Sequence, residues 1–156
     1  MSRHPFMPVP TAAPGAQTGD DEAGLLASVQ RTRRIGFLLL HDYSMIAFAN
    51  ALESFRMANY LTRQQLYSWE VVPVQLTGIL ASNGLGVQPT GGLDVLDRCD
   101  MVLVCAGIDV RAATDAHVRQ VLRQLASRRM PLGALCTGSY ALASAGLLDG
   151  YRCAVH

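Results

Sequence analysis

Residues 131–143 read PLGALCTGSYALA, a short apolar run followed by a lone cysteine, a small residue, a glycine and an Ala/Leu-rich segment. This order predicts a buried strand, a sharp turn and a helix, with Cys136 at the turn. A thiol in that place lies at a helix N-terminus, where N–H groups and the helix dipole stabilise an anion. Because the thiolate is the reactive form of cysteine, the first question is whether Cys136 performs chemistry or helps to bind a ligand.

The composition indicates one globular domain and excludes several functional classes. Half of the 156 residues are hydrophobic, which suffices for a single domain with a core. The formal net charge is only +1, so the basic surface typical of a nucleic-acid-binding module is missing. No apolar run approaches the roughly 20 residues that span a bilayer, and no apolar segment follows Arg3 and His4 as it would in a signal peptide. We therefore expect a cytoplasmic protein without membrane contacts.

The cysteine pattern points to reduced thiols. The four cysteines show no C-x-x-C spacing; they are Cys99, Cys105, Cys136 and Cys153. Such isolated cysteines in a cytoplasmic protein favour neither a disulfide framework nor a zinc site. We accordingly expect no metal and no cofactor.

The chain divides near residue 33. Residues 1–32 are rich in Pro, Ala, Gly and Thr, show no sustained hydrophobic period and are predicted to form a disordered or loosely attached tail. Residues 33–156 are predicted to form the folded domain, because apolar runs of strand length alternate there with segments of helical period. The predicted strands cover residues 35–40, 69–76 and 101–105 and the apolar run before Cys136.

The same alternation sets the fold class. Helices are predicted to begin after the N-cap residues Ser44 and Thr114. Pro73 favours an edge position or a bulge for the second strand, and a Ser-Asn-Gly turn sequence predicts a small hairpin within residues 79–89. Uniformly apolar strands alternating with helices are typical of an α/β fold, in which a parallel sheet carries helices on both faces.

Ligands of such sheets bind beyond the carboxyl ends of the strands. Five candidate ligand-binding residues fall at those ends: His41, Asp42, Gly107, Cys136 and Thr137. Four of them, all except Thr137, also have a structural explanation. His41 and Asp42 are ordinary polar loop residues, Gly107 permits a turn, and a cysteine often behaves as a small buried hydrophobe.

Residues 133–156, GALCTGSYALASAGLLDGYRCAVH, resemble the ThiJ/PfpI superfamily. More narrowly, they resemble the GlxA-type branch of the AraC-family transcriptional regulators, as do ALESFRMAN at residues 51–59 and the strand and turn at residues 100–107. The resemblance implies the flavodoxin-like fold of class I glutamine amidotransferases. It also implies that residues 33–156 form a C-terminally incomplete domain, and that the helix-turn-helix DNA-binding domain of such regulators is absent from this chain.

The enzymes of this superfamily carry their nucleophile on a strand–turn–helix segment called the nucleophile elbow. The sequence departs from them at this elbow, around Cys136. Its peptidase-like members carry histidine directly after the nucleophilic cysteine, where this chain has Thr137. Their first helix supplies an acidic residue near the thiol, whereas the matching region around Ala47 is apolar, and Ala134 occupies the first glycine position of the elbow pattern. The resemblance also places the N–H groups of Gly107 and Thr137 at the oxyanion-hole positions, where a binding domain would hold a carboxylate or carbonyl of its ligand.

Two functional hypotheses follow. The leading one is a non-enzymatic effector-sensing domain of a transcriptional regulator, which binds a small amine or amino-acid-like metabolite and acts as a homodimer on DNA through the missing domain. The alternative is a cysteine-dependent enzyme of the ThiJ/PfpI type, such as a hydratase, a deglycase-like enzyme or an amidohydrolase, with Cys136 as its nucleophile. A third possibility is a truncated product without function, since loss of closing strands exposes a sheet edge.

Overall fold

The computed structural model describes residues 31–75 and 79–153. Residues 1–30, most of the predicted tail, lie outside the described residues. Residues 31 and 32, the last two of the predicted tail, are described and contact the domain. The Arg31 guanidinium lies 2.8 Å from the Asp100 carboxylate, and the Thr32 hydroxyl donates a hydrogen bond of 2.7 Å to the Gln65 carbonyl.

The described residues form alternating strands and helices. The strands are β1 (Arg33–Leu39), β2 (Tyr67–Pro73), β3 (Met101–Cys105) and β4 (Leu132–Leu135). The α-helices are α1 (Met45–Thr62), α2 (Val110–Ala113), α3 (Ala116–Ser127) and α4 (Gly138–Ser144), and a 3₁₀ helix spans Leu93–Arg98. None of the helices in these described ranges is both long and apolar enough to span a membrane.

The strands form one parallel sheet in the order β2-β1-β3-β4, which confirms the predicted fold class. Successive side chains of a strand point to opposite faces, so β1 contributes to two cores. Phe37 packs with α1 on one face, and its ring meets Phe48 edge-to-face at 5.2 Å. Leu38 faces the other side, in a cluster that includes Val121 of α3 and Leu142 of α4. Helices therefore cover both faces of the sheet.

The sequence-based prediction fails for the segment between β2 and the 3₁₀ helix. The predicted hairpin at residues 79–89 is wrong, since these residues contain a turn but no strand. The turn itself is closed by a 2.8 Å hydrogen bond from the Ala81 N–H to the Leu85 carbonyl, but the neighbouring backbone groups bind the loop after β1. Asp42 donates to the Leu80 carbonyl at 3.1 Å, and Ser82 donates to the Tyr43 carbonyl at 3.0 Å. Pro73, in contrast, ends β2 at the outer edge of the sheet, as the edge interpretation requires.

Helix starts were predicted with mixed success. Ser44 caps α1 as expected, because its hydroxyl accepts a hydrogen bond of 3.4 Å from the Ala47 N–H. Thr114 does not cap α3; the cap is Asp115, whose carboxylate accepts a 2.8 Å hydrogen bond from the Val118 N–H. Thr114 is buried, and its hydroxyl donates a hydrogen bond of 2.6 Å to the Val110 carbonyl of α2. Because the hydroxyl binds the preceding short helix, it does not cap α3.

Candidate functional site

Cys136 lies at a sharp turn between β4 and α4, as the sequence predicted. Its φ is 53°, in the left-handed region that costs a residue with a Cβ roughly 1–2 kcal/mol. The thiol side chain is exposed. The strand thus ends, one residue reverses the chain at a conformational cost, and the helix begins within three residues. This is the geometry of a nucleophile elbow.

Gly138 brings the start of α4 directly against the sheet. A Cβ on this glycine would overlap the carbonyl oxygen of Val104 in β3 and lie 3.0 Å from its carbonyl carbon. No other residue type fits there without displacing either the helix or the strand. The glycine after Thr137 is therefore the residue that lets the elbow close.

A hydrogen bond joins the elbow to the turn after β3. The Thr137 hydroxyl donates to the Gly107 carbonyl at 2.7 Å. Within the described part of the chain, neither the Gly107 N–H nor the Thr137 N–H donates to a backbone carbonyl outside the regular elements. The side chain of Thr137 is thus used to connect two loops, and the two N–H groups are the donors that remain at this position.

Gly107 in turn packs against the loop that follows β1. A Cβ here would overlap the Asp42 carbonyl oxygen and lie 2.8 Å from the Ser44 nitrogen. Ser44 also donates to the Ala106 carbonyl at 3.2 Å. The backbones of Asp42 and Gly107, together with the Thr137 side chain that binds Gly107, therefore form a continuous chain of contacts across the carboxyl end of the sheet.

The side chains of His41 and Asp42 line a cavity of about 190 Å³ at the same end of the sheet. Their nearest polar atoms, His41 Nδ1 and Asp42 Oδ1, are 3.4 Å apart. Two further carboxylates, Asp109 and Asp115, line this cavity, whereas Cys136 is not among its lining residues. The structure thus brings the five predicted residues to one end of the sheet but separates the thiol from the acidic cavity.

Sequence reasoning missed Asp109 and Asp115. Asp109 adopts a φ of 57° directly before α2, a helix of only four residues. Such a short helix carries no hydrophobic period, so nothing local to it indicated a cavity wall. The available signal was the position of Asp109 two residues after Gly107, in the loop that follows a buried strand. Among the described residues, no three His, Cys, Asp or Glu side chains are grouped to hold a metal ion.

Cys105, at the carboxyl end of β3, and Cys99, before the start of β3, are buried, whereas Cys136 is exposed. Burial, with a smaller contribution from the nearby Cys136, raises the pKa of the Cys105 thiol from 9.0 to about 12. Burial and then Glu70 raise the pKa of the Cys99 thiol to about 11. Both thiols are therefore uncharged at neutral pH and part of the core.

The raised pKa of Cys105 predicts a loss of stability at alkaline pH. The folded state favours the protonated thiol, so its contribution is complete below pH 9, the pKa of an unperturbed thiol, and is lost between pH 9 and about 12. We expect Cys105→Ala to reduce the loss of unfolding free energy between pH 8 and pH 10 by about 1 kcal/mol. Urea denaturation under reducing conditions measures this, with Cys153→Ala as the exposed control. An equal pH dependence in both variants would contradict the burial argument.

The positive φ of Cys136 predicts that glycine stabilises this position. Glycine removes the left-handed penalty of roughly 1–2 kcal/mol but adds backbone entropy to the unfolded chain, costing about 0.5–1 kcal/mol. We therefore expect Cys136→Gly to raise the unfolding free energy by about 0.5–1 kcal/mol relative to Cys136→Ala, which keeps the penalty. Urea denaturation of the two variants measures the difference. A less stable glycine variant would mean that the elbow is unstrained.

Together, the parallel sheet and the cysteine elbow define an α/β protein of the ThiJ/PfpI type. Its fold is shared with a ThiJ/PfpI family protein from Pseudomonas syringae, with a TM-score of 0.60 at 21% identity over 88% of this chain and 56% of that one. The DJ-1/PfpI family profile matches residues 33–156, and the chain belongs to this family.

Several curated relatives of this chain are transcriptional regulators. The HTH-type transcriptional regulator GbdR of Pseudomonas aeruginosa is 46% identical over 123 residues, which are 78% of this chain and 33% of that protein. The regulator GlxA of Rhizobium meliloti is 32% identical over 130 residues, 81% of this chain and 40% of that protein. A crystal structure of an AraC family transcriptional regulator from Pseudomonas putida has a TM-score of 0.69 at 29% identity, over 80% of this chain and 66% of that one.

These matches confirm the resemblance to GlxA-type regulators. The chain spans 33% to 40% of the length of these two curated relatives. The similarity therefore concerns the part of such regulators that has the DJ-1/PfpI fold.

Proposed function

We propose that residues 33–156 are the effector-sensing domain of a cytoplasmic transcriptional regulator, and that this domain binds a small amine or amino-acid-like metabolite without transforming it. In the intact regulator, the ligand would alter a homodimer that contacts DNA through a separate helix-turn-helix domain. The similarity to the regulators GbdR and GlxA supports the regulator class. The site geometry supports binding as the role of this part of the chain.

The observation that carries the proposal is the hydrogen bond of 2.7 Å from the Thr137 hydroxyl to the Gly107 carbonyl. The residue after the thiol is histidine in the peptidase-like enzymes that this chain resembles; here it is a threonine that fixes one loop to another. This hydrogen bond ties the loop that carries the Thr137 N–H to the turn that carries the Gly107 N–H. Two adjacent N–H donors are suited to the carboxylate or carbonyl group of a ligand.

The adjacent cavity supports a cationic group on the same ligand. Asp42, Asp109 and Asp115 line it together with His41, and Asp115 also caps α3. Three carboxylates around one cavity create a negative potential that attracts an ammonium group. The volume of about 190 Å³ corresponds to about six water molecules, which limits the bound group to a small one.

Thermal denaturation with a panel of small amines and amino acids tests the proposal. A ligand at about 100 times its Kd should stabilise the folded chain by about 2.7 kcal/mol and raise its Tm. Asp42→Asn should weaken binding of an amine about tenfold or more, because a hydrogen bond to a charged group is lost. Asp94→Asn, in the 3₁₀ helix away from this cavity, should bind as the parent protein does. Stabilisation by anionic compounds alone, or an unchanged affinity in Asp42→Asn, would contradict it.

One observation favours the enzymatic alternative. The exposed thiol of Cys136 is held at a φ of 53°, and strained residues cluster at active sites. If Cys136 is a nucleophile, it should react with iodoacetamide much faster than the exposed Cys153, and Cys136→Ser should abolish turnover of a substrate. If the domain senses a ligand, Cys136→Ser should leave ligand-induced stabilisation within a few-fold of the parent value.

A further inference from the structure

Arg111 is an exposed arginine of α2 that lies against an aromatic ring of α4. Its guanidinium carbon is 6.0 Å from the centre of the Tyr140 ring, which is within the range of a cation–π contact. Within the described ranges, Arg111 forms no ion pair with a carboxylate. The ring therefore holds the cation in place without neutralising it, and the charge stays available to an anion from solution.

The position of Tyr140 brings this cation to the elbow. Tyr140 is in the first turn of α4, four residues after Cys136, and its N–H donates to the Thr137 carbonyl at 2.9 Å. Arg111 follows Gly107 by four residues, and Gly107 accepts the hydrogen bond of the Thr137 hydroxyl. Both partners of the cation–π contact are thus connected to the same junction of loops, next to the exposed thiol.

The helix α2 separates this cation from the acidic cavity. Asp109, Ala112 and Ala113 line the cavity, whereas Arg111 is not among its lining residues. One side of α2 thus faces the carboxylates of the cavity, and Arg111 lies on the side of α4. The two sides of this short helix consequently present opposite charges to a ligand.

We propose that Arg111, held by the Tyr140 ring, binds the carboxylate of an organic ligand at the elbow. A guanidinium presents its N–H donors in a fork that matches the two oxygens of a carboxylate. Ile108 directly follows Gly107 and is 67% exposed, so it offers apolar contact to the carbon skeleton beside that carboxylate. The inference rests on the proposed function, because it assigns the anionic end of the same ligand to a named side chain.

Alkylation of Cys136 by iodoacetate measures this site without an identified effector. The thiolate displaces iodide from the CH₂ carbon, so that an S–C bond forms while the C–I bond breaks, and the reagent carries a carboxylate beside the reacting carbon. Neutral iodoacetamide has the same reacting carbon but no carboxylate. Both reagents react with the same thiolate, so a change in its pKa alters both rates equally. The ratio of the two rates therefore measures the attraction of a carboxylate to the elbow.

Arg111→Gln should lower the ratio of the iodoacetate rate to the iodoacetamide rate by about fivefold or more, in a full chain in which the exposed Cys153 is replaced by serine. Arg98→Gln is the matched control. Arg98 is also exposed, but it ends the 3₁₀ helix before β3, at the opposite end of the sheet, so its loss should change the ratio by less than about twofold. Mass spectrometry of the intact protein measures both rates. An unchanged ratio in Arg111→Gln, or an equal decrease in Arg98→Gln, would overturn the proposal.

Substitutions of Tyr140 test the aromatic support of the guanidinium. Tyr140→Leu removes the cation–π contact and should lower the ratio by about two- to fivefold, whereas Tyr140→Phe keeps the ring and should keep the parent ratio. Arg111→Lys keeps the charge but loses the fork of donors, so its ratio should lie between those of the parent and Arg111→Gln. A lysine variant equal to the parent, or equal ratios in the leucine and phenylalanine variants, would contradict the stacked arrangement.

Ligand-induced stabilisation separates this inference from the proposed function. Each amino acid of the panel is paired with the amine that lacks its carboxylate, for example alanine with ethylamine. Arg111→Gln should weaken binding of a stabilising amino acid by about tenfold and leave binding of its amine unchanged. Binding of amino acids that Arg111→Gln does not weaken would overturn the role of Arg111 but keep the proposed function. A rate ratio that depends on Arg111, in a chain that no amine or amino acid stabilises, would instead keep the anion site and overturn the proposed function.

Discussion

Gly138→Ala should lower the free energy of unfolding by about 4 kcal/mol, a large part of the stability of an ordinary domain. The added Cβ would overlap the Val104 carbonyl oxygen. Val104 lies in β3, which pairs with β1 on one side and β4 on the other, so its carbonyl cannot retreat without disturbing both ladders. α4 would instead have to move away from the sheet and lose the contacts of Leu142 in the core. Urea denaturation followed by circular dichroism measures the change.

Gly133→Ala is the matched control for this prediction. It lies on the same strand-and-turn segment, but a Cβ there would meet only the Cδ2 atom of Leu103, at 2.7 Å. The end of a leucine side chain can rotate away, so we expect a loss of about 1 kcal/mol or less. If Gly138→Ala were as mild as this control, the contact between α4 and β3 would be adjustable, and the elbow would not depend on the glycine.

The features that could be predicted from the sequence are those encoded within a few residues. The elbow is one, because an apolar run, Cys136, Thr137 and Gly138 lie together in a single stretch of 13 residues, from 131 to 143. The strand order could be anticipated only as a parallel sheet, since neighbours such as Leu38 and Val104 come from distant parts of the chain. Local apolar runs thus specify strands, and the packing of the helices decides their order.

The failed predictions share a physical cause. The residues around Ser82 form a turn, but the backbone groups of Leu80 and Ser82 bind the loop at Asp42 and Tyr43, about 40 residues upstream, so no strands flank the turn. Thr114 and Asp115 are both suitable N-cap residues. Asp115 caps α3, because the Thr114 side chain is buried and bound to α2. In both cases a tertiary partner, invisible in a local pattern, determined the structure.

The candidate site shows the same limit. The sequence placed His41, Asp42, Gly107, Cys136 and Thr137 at the carboxyl ends of strands, and contacts do connect Asp42 to Gly107 and Gly107 to the Thr137 side chain. The sequence did not indicate that Cys136 lies outside the cavity, or that Asp109 and Asp115 line it. Those assignments depend on the path of the loop through α2, which is too short to leave a periodic signal.

This division of the site has a consequence for function. The elbow supplies backbone donors and a thiol, and the cavity supplies carboxylates, so the two parts recognise opposite charges. An amino-acid-like ligand carries both an anionic and a cationic group and would match both parts. A simple amine would use the cavity alone, and its binding should then be sensitive to Asp42→Asn.

Gly107→Ala should damage both parts of the site at once, and lower the free energy of unfolding by about 3 kcal/mol. Its Cβ would meet three backbone atoms, those of the Asp42 carbonyl oxygen, the Ser44 nitrogen and the Tyr43 carbonyl carbon, none of which can rotate away. Relief requires either the loop after β1 to move or the turn at Gly107 to tilt, and the second movement breaks the hydrogen bond from Thr137.

The functional effect of this substitution should therefore exceed its effect on stability. At a temperature where Gly107→Ala is still folded, ligand-induced stabilisation should be lost, because the Asp42 loop and the donors at the elbow no longer keep their spacing. Gly86→Ala is the control, since a Cβ at that loop glycine would approach only Leu80 Cδ2, at 3.2 Å, and the Ile79 carbonyl oxygen, at 3.8 Å. Full ligand binding by a folded Gly107→Ala variant would mean that the ligand does not span the two loops, which would leave the acidic cavity alone as its binding site.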